Sequence, residues 1–188
     1  MSSFIEEYSE VWGENPSVLM DEYNYNPVLT EELDNLDPEC LNNETFFKIV
    51  LWKLNRFPYI SGDLINTLKE VSNIEPGQHE QAREIIRSLL KTSGIALPMA
   101  STVLRFLNPR AFQIIDDRAY RVLFPGDPKY PTKPLKITEG YLNKSINIYF
   151  NYIDRIHEIS SDTLPFEDAD RILYQLDIKL GKKLGSKI

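Results

Sequence analysis

The stretch "SGIALPMASTVLRFLNPRAFQIIDDRAYRVL", Ser93 to Leu123, decides the fold. Just before it, Ala82, Ile85, Ile86, Leu89 and Leu90 recur at helical spacing. Gly94 can take positive φ, so a tight turn is expected there. Pro98 suits the first turn of a second helix, where its missing N–H is no loss. That helix runs to Leu107, and Asn108-Pro109 breaks it. Asp116 and Asp117 then compete to cap a third helix, which runs through Leu123. The first N–H groups of the second helix have no intrahelical partner, and they carry the positive end of its dipole. Such a terminus holds a phosphate. The same features also serve a bundle corner that binds nothing.

Working outward, the pattern is helical almost throughout. Ser3 to Trp12 reads as a helix ended by Gly13 and Pro16. A short helix capped by Thr30 follows, with Glu31 and Glu32 in its first turn. Asn43 is expected to cap "ETFFKIVLWKLNRF", whose Phe46, Phe47, Val50, Leu51 and Leu54 form one stripe. Asp63 to Val71, His79 to Thr92, Thr138 to about Glu158, and a last helix opened by Pro165 complete the set. "FPGDPKYPTKP" holds four prolines and a glycine in eleven residues, so it is an irregular loop. "FQIID" is the only strand candidate, too short to define a sheet. The expected fold class is all-α, a bundle with room for two helical lobes. The expected division is an acidic helical segment at 1–42 packing on a main domain at 43–188.

Of 188 residues, 42% are hydrophobic, enough for a sizeable core. No apolar run approaches the roughly 20 residues of a membrane span. The N-terminus lacks the basic then apolar order of a signal peptide. A lone Cys40 excludes an intrachain disulfide framework and a four-cysteine cluster. A cytoplasmic protein is expected. The net charge is −7, unevenly spread. Residues 1–47 hold twelve acidic residues and no Lys or Arg; the remainder holds all 21 basic residues against 16 acidic ones. The acidic quarter is a solvated face, or it lies away from an anionic ligand.

The stretch from Leu90 to Arg121 resembles the helix-hairpin-helix DNA glycosylase superfamily. The resemblance rests on Leu90, the tip Gly94-Ile95-Ala96, Ala100, Ile115-Asp116 and Arg121. The family's lyase lysine lies four residues past the first hairpin Gly and eighteen before the catalytic Asp. Here Pro98 and Asp116 stand at those intervals. A closer likeness, to uncharacterised bacterial members, adds Pro98-Met99-Ala100-Ser101, Ile115-Asp116-Asp117-Arg118-Ala119, Asp170 to Gln175, and the helix with Trp52, Lys53 and Arg56. The likeness covers most of residues 44–180. The second hairpin Gly is Ala96, the lysine is Pro98, and the iron–sulfur cysteines are absent.

The resemblance implies double-stranded DNA as partner and a role in base excision repair. The implied reaction is hydrolysis of an N-glycosidic bond on a base rotated out of the duplex, with Asp116 as the catalytic carboxylate. Gly94, Ile95 and Ala96 would hold a phosphate, with a monovalent cation at the hairpin; no other metal or cofactor is expected. Lys53, Arg56, Arg105 and Arg118 are candidate phosphate contacts. Trp52, Tyr120 and Tyr130 are candidates to stack on a base. Schiff-base chemistry at Pro98 is ruled out. The other reading is a noncatalytic module of the same fold that binds nucleic acid or a protein partner. Asp116 makes a good cap in either case. Arg118 and Arg121 also suit ion pairs with Asp116, Asp117 or Asp170. His79 and His157 are read as surface residues.

Overall fold

Leu89, Leu90, Ile86 and Ala82 lie on one side of a helix, and that side is wholly buried. The surrounding fold follows from covering it. In the computed structural model, which describes residues 9–13, 15–23, 25–54, 58 and 60–181, every regular element is helical. Among the described residues the only extended pairing is an isolated bridge between Ser161 and Leu164. The chain divides into two compact units, 1–57 and 58–188. The helix expected to open the main domain therefore groups with the first unit.

Within residues 1–57 the described α-helices are α1 (Ser9–Trp12), α2 (Pro27–Asp34) and α3 (Asn43–Leu54), with 3-10 segments at Pro16–Glu22 and Pro38–Cys40. Residues 3–8 of the expected first helix lie outside the described residues. Two caps differ from expectation. Helix α2 begins at Pro27 behind Asn26, so Thr30 falls inside it. Proline at the first position sets the start four residues earlier than a Thr30 cap would. Helix α3 is capped by Asn42, whose Oδ1 accepts from the Thr45 N–H at 3.0 Å. Trp52 on α3 donates its indole N–H to Thr30 Oγ1 at 2.8 Å and meets the Tyr25 ring edge-on at 5.0 Å.

Residues 58–188 contain α4 (Gly62–Lys69), α5 (Arg83–Lys91), α6 (Leu97–Leu107), α7 (Asp117–Leu123), α8 (Glu139–Ile159) and α9 (Ala169–Lys179). One-turn 3-10 segments precede α5 and α9 and follow α4. Ser61 caps α4 and Thr138 caps α8, each through its hydroxyl. The 21-residue α8 presents Leu142, Ile146, Tyr149, Ile153 and Ile156 to the core and packs on α5 and α7. Helix α9 packs chiefly on α7. Asn108 ends α6 and is buried, its amide donating to the carbonyls of Val71 and Ile74.

His79 is not a surface residue, and His157 is half-buried. His79 is buried, its Nε2 is 3.3 Å from Asp154 Oδ1, and its ring lies 6.2 Å from that of His157. His157 stacks on Phe166 at 4.1 Å. A flat, half-apolar ring fits between helices as readily as it fits a wet surface.

Candidate functional site

The site begins with a segment that has no regular structure. Residues 111–115 run between α6 and α7, all of them buried except the half-buried Ile114, so their backbone groups need partners within the protein. Side chains from three helices serve them. Ser101 Oγ of α6 accepts from the Ile115 N–H at 3.2 Å, and Asp170 Oδ2 of α9 accepts from the Ile114 N–H at 3.1 Å. Tyr149 and Tyr152 of α8 donate to the carbonyls of Gln113 and Ile114, at 2.9 and 2.8 Å. The "FQIID" run is thus an extended segment held by side chains instead of a strand. The run is fixed by three helices, and its last residue is Asp116.

Asp116 takes the cap position of α7. Its Oδ1 accepts from the N–H groups of Arg118 and Ala119, both at 2.8 Å. Its Oδ2 makes no hydrogen bond among the described residues. Burial pushes the carboxyl pKa above its ordinary value, the two backbone donors pull it back, and the charges of Asp117 and Asp170 push it up again. Asp117 is used differently. Its Oδ1 accepts from Tyr130 OH and its Oδ2 from Lys129 Nζ, both at 2.6 Å. The phenol of Tyr130 is raised well above its usual pKa by burial and by that carboxylate.

The hairpin lies across a cleft from this acid. Gly94 adopts φ of +79°, as the turn requires, and α6 starts at Leu97 with Pro98 in its first turn and no side-chain cap. Ala96, Pro98, Asp116, Asp117, Arg118, Lys129, Tyr130, Lys133 and Tyr174 line one cleft of about 440 Å³. Three cationic side chains and two carboxylates line it, and of these Lys129 pairs with Asp117. Asp116 and Tyr174 also line a neighbouring hollow of about 360 Å³, with Ile114, Asp170, Arg171 and Gln175.

Of the residues expected at the site, Ala96, Asp116, Arg118 and Tyr130 meet at this cleft. Ile95 is buried to 1% exposure, its N–H closing the turn onto Thr92 O and its carbonyl facing Lys133. Arg118 Nη1 donates to Asp177 Oδ2 at 2.9 Å, and its guanidinium lies over the Tyr174 ring. Arg121 pairs with the same Asp177, a fully buried carboxylate held below its ordinary pKa mainly by the Arg121 hydrogen bond. The sequence suggests Asp116, Asp117 or Asp170 as partners for both arginines, and Asp177 takes them instead. Arg105 is unsuited to a phosphate contact. It is 7% exposed, donates to Glu167 O at 3.0 Å and sits 3.9 Å from Asp170. Tyr120 is unsuited to stacking on a base, since its ring is buried against Phe124 and Tyr130. Trp52 and Lys53 belong to the first unit, where the Trp52 ring and N–H are both engaged. Arg56 lies outside the described residues.

Lys129, Lys133 and Tyr174 line the cleft unforeseen. The two lysines come from the proline-rich loop, where no periodicity indicates which way a side chain points. No group of three or more His, Cys, Asp or Glu able to hold a metal occurs among the described residues. No described helix is long and apolar enough to cross a membrane. Compared with family models, with curated proteins and with solved structures, the chain matches none of them.

Proposed function

We propose that residues 58–188 bind double-stranded DNA as a helix-hairpin-helix module of DNA glycosylase type and hydrolyse the N-glycosidic bond of a base rotated out of the duplex. One observation carries the reading: the carboxylate of Asp116 and the uncapped start of α6 line the same cleft. The α6 terminus takes a backbone phosphate through N–H groups that lack intrahelical partners, which sets register without reading sequence. The sugar beside that phosphate then lies against Asp116. As the bond from C1′ to the base nitrogen breaks, the electron pair leaves with the base and positive charge builds on the sugar. A partly desolvated carboxylate is well suited to stabilise that charge, since the cation supplies the compensation that burial withholds. Water adds to C1′, its proton passes by way of Asp116 to the departing base, and the products are the free base and an abasic sugar. Pro98 offers no amine, so the strand is not cut.

The test incubates the protein with duplexes carrying a panel of damaged and modified bases, followed by hot alkali to reveal abasic sites. Asp116→Asn is the control, because Asn caps a helix as well as Asp does and leaves the fold standing. Strand breaks that disappear in Asp116→Asn support the enzyme. Equal yields from both proteins, or none, refute it. The noncatalytic reading has its own support: Asp116 Oδ1 is fully engaged in capping α7. A gel shift at low and moderate salt examines it. Binding that weakens with salt indicates phosphate contacts, and no binding at any salt indicates a protein partner.

A further inference from the structure

We propose that helix α3 is a docking face for a basic amphipathic helix of a partner protein. A surface helix ordinarily lays its apolar stripe on a core and leaves its polar side in water. Helix α3 does the reverse. Thr45, Lys48 and Trp52, three and four residues apart, are its half-buried positions. Trp52 reaches Thr30 and Lys48 reaches Glu32, so this side meets α2. The apolar stripe points the other way. Phe46, Phe47, Val50, Leu51 and Leu54 are each between 37% and 61% exposed. Phe46, Val50 and Leu54 form one row at four-residue spacing, and Phe47 and Leu51 form the next. Such rows are the ridges between which another helix packs. Five large apolar side chains in one exposed patch mark an interaction surface, because only a covering surface removes them from water.

Charge selects the occupant. Residues 1–57 hold twelve Asp or Glu against Lys48, Lys53 and Arg56, a balance of −9. Lys48 is already paired, with Glu32 at 2.6 Å and Glu44 at 3.5 Å. Glu31, Asp34, Asp37 and Glu39 stand exposed on α2 and on the segment leading to α3. A unit of this sign repels an isologous copy of its own face, a nucleic-acid backbone and an anionic lipid surface. It attracts lysine and arginine. An amphipathic helix with a basic polar side offers apolar anchors at helical spacing and the opposite charge in one element. This inference concerns residues 1–57 and stands apart from the nucleic-acid reading of residues 58–188.

The test titrates the full chain into two fluorescein-labelled synthetic peptides of about five helical turns. Both have leucine at the same i, i+3, i+4 and i+7 positions. One carries lysine elsewhere and the other glutamate. The native protein is expected to raise the fluorescence polarisation of the lysine peptide saturably and to leave the glutamate peptide unchanged. Phe47→Ser and Leu54→Ser are each expected to weaken that binding about tenfold or more, the loss of an anchoring contact. Both positions are exposed, so the fold should stand, and circular dichroism checks it. If one variant does not fold, the other decides. Leu135→Ser, at an exposed position just past the proline-rich loop, is expected to bind as the native protein does. That control separates a seat on α3 from general adhesion of the peptide. Binding that persists in Phe47→Ser and Leu54→Ser overturns the proposal. Equal binding of both peptides, or no binding by the native protein, also overturns it. Sedimentation examines the remaining occupant: a native dimer that Phe47→Ser renders monomeric assigns the face to a second copy and overturns the proposal too.

Discussion

Leu89 on α5 and Phe47 on α3 occupy the same kind of position, a large apolar residue within a helical stripe, yet one is 0% exposed and the other 61%. The contrast extends to their units. In 58–188 the stripes of α5, α6 and α8 close on one another into a continuous core. In 1–57 only Leu29 is buried among the described residues, and Phe46, Val50, Leu51 and Leu54 stand exposed along with Phe47. Spacing tells which side chains share a face. It does not tell whether a second face exists to cover it, and burial free energy follows the covered area alone.

The sharpest way to break this comparison is a pair of truncations read by urea unfolding. Leu89→Ala is expected to destabilise residues 58–188 by about 2–5 kcal/mol, since it removes a filled volume from a packed interior. A loss under about 1 kcal/mol would mean that α5 is not where the core is closed. A smaller effect is expected from acid. The imidazoles of His79 and His157 are both held below their ordinary pKa, chiefly by burial, with Asp154 opposing in each case. In His79 the positive charge of His157 adds to the lowering and Glu80 opposes it. The unfolded chain therefore binds more protons, so this stabilisation is complete above about pH 6.5, where free imidazole titrates, and falls as pH drops through that value. Urea unfolding at stepped pH should show that slope in the native protein and a shallower one in His79→Phe. Identical slopes would place the protonation elsewhere. The smallest effect is expected from Phe47→Ala, within about 0.5 kcal/mol, as for other exposed positions. A loss comparable to that of Leu89→Ala would show the α3 stripe to be covered in solution.

The same distinction decides how much of the site was legible. The hairpin was readable because its signals are local. Gly94 is where a positive φ is needed, and Pro98 is where a missing N–H is harmless. A cap at Asp116 or Asp117 was readable for the same reason, and the structure gives it to Asp116. Arg105 and Tyr120 were misread because a cationic or aromatic side chain carries no mark of where its far end goes. One reaches Glu167 across 62 positions of sequence, and the other closes an aromatic cluster. The pairing of Arg118 and Arg121 with Asp177 spans a comparable distance. Asp116 and Asp117 lie nearer in sequence, so spacing alone does not single out Asp177.

Residue order alone determined the helices, their stops and the turn at Gly94, because capping, dihedral preference and apolar spacing act over a few neighbouring residues. Only the tertiary structure decided that the 111–115 segment hangs from Ser101, Tyr149, Tyr152 and Asp170. Only it brought Lys133 to the turn, 43 residues past the first carbonyl it meets. Those choices depend on which backbone groups burial leaves without water, and that is settled when the helices pack.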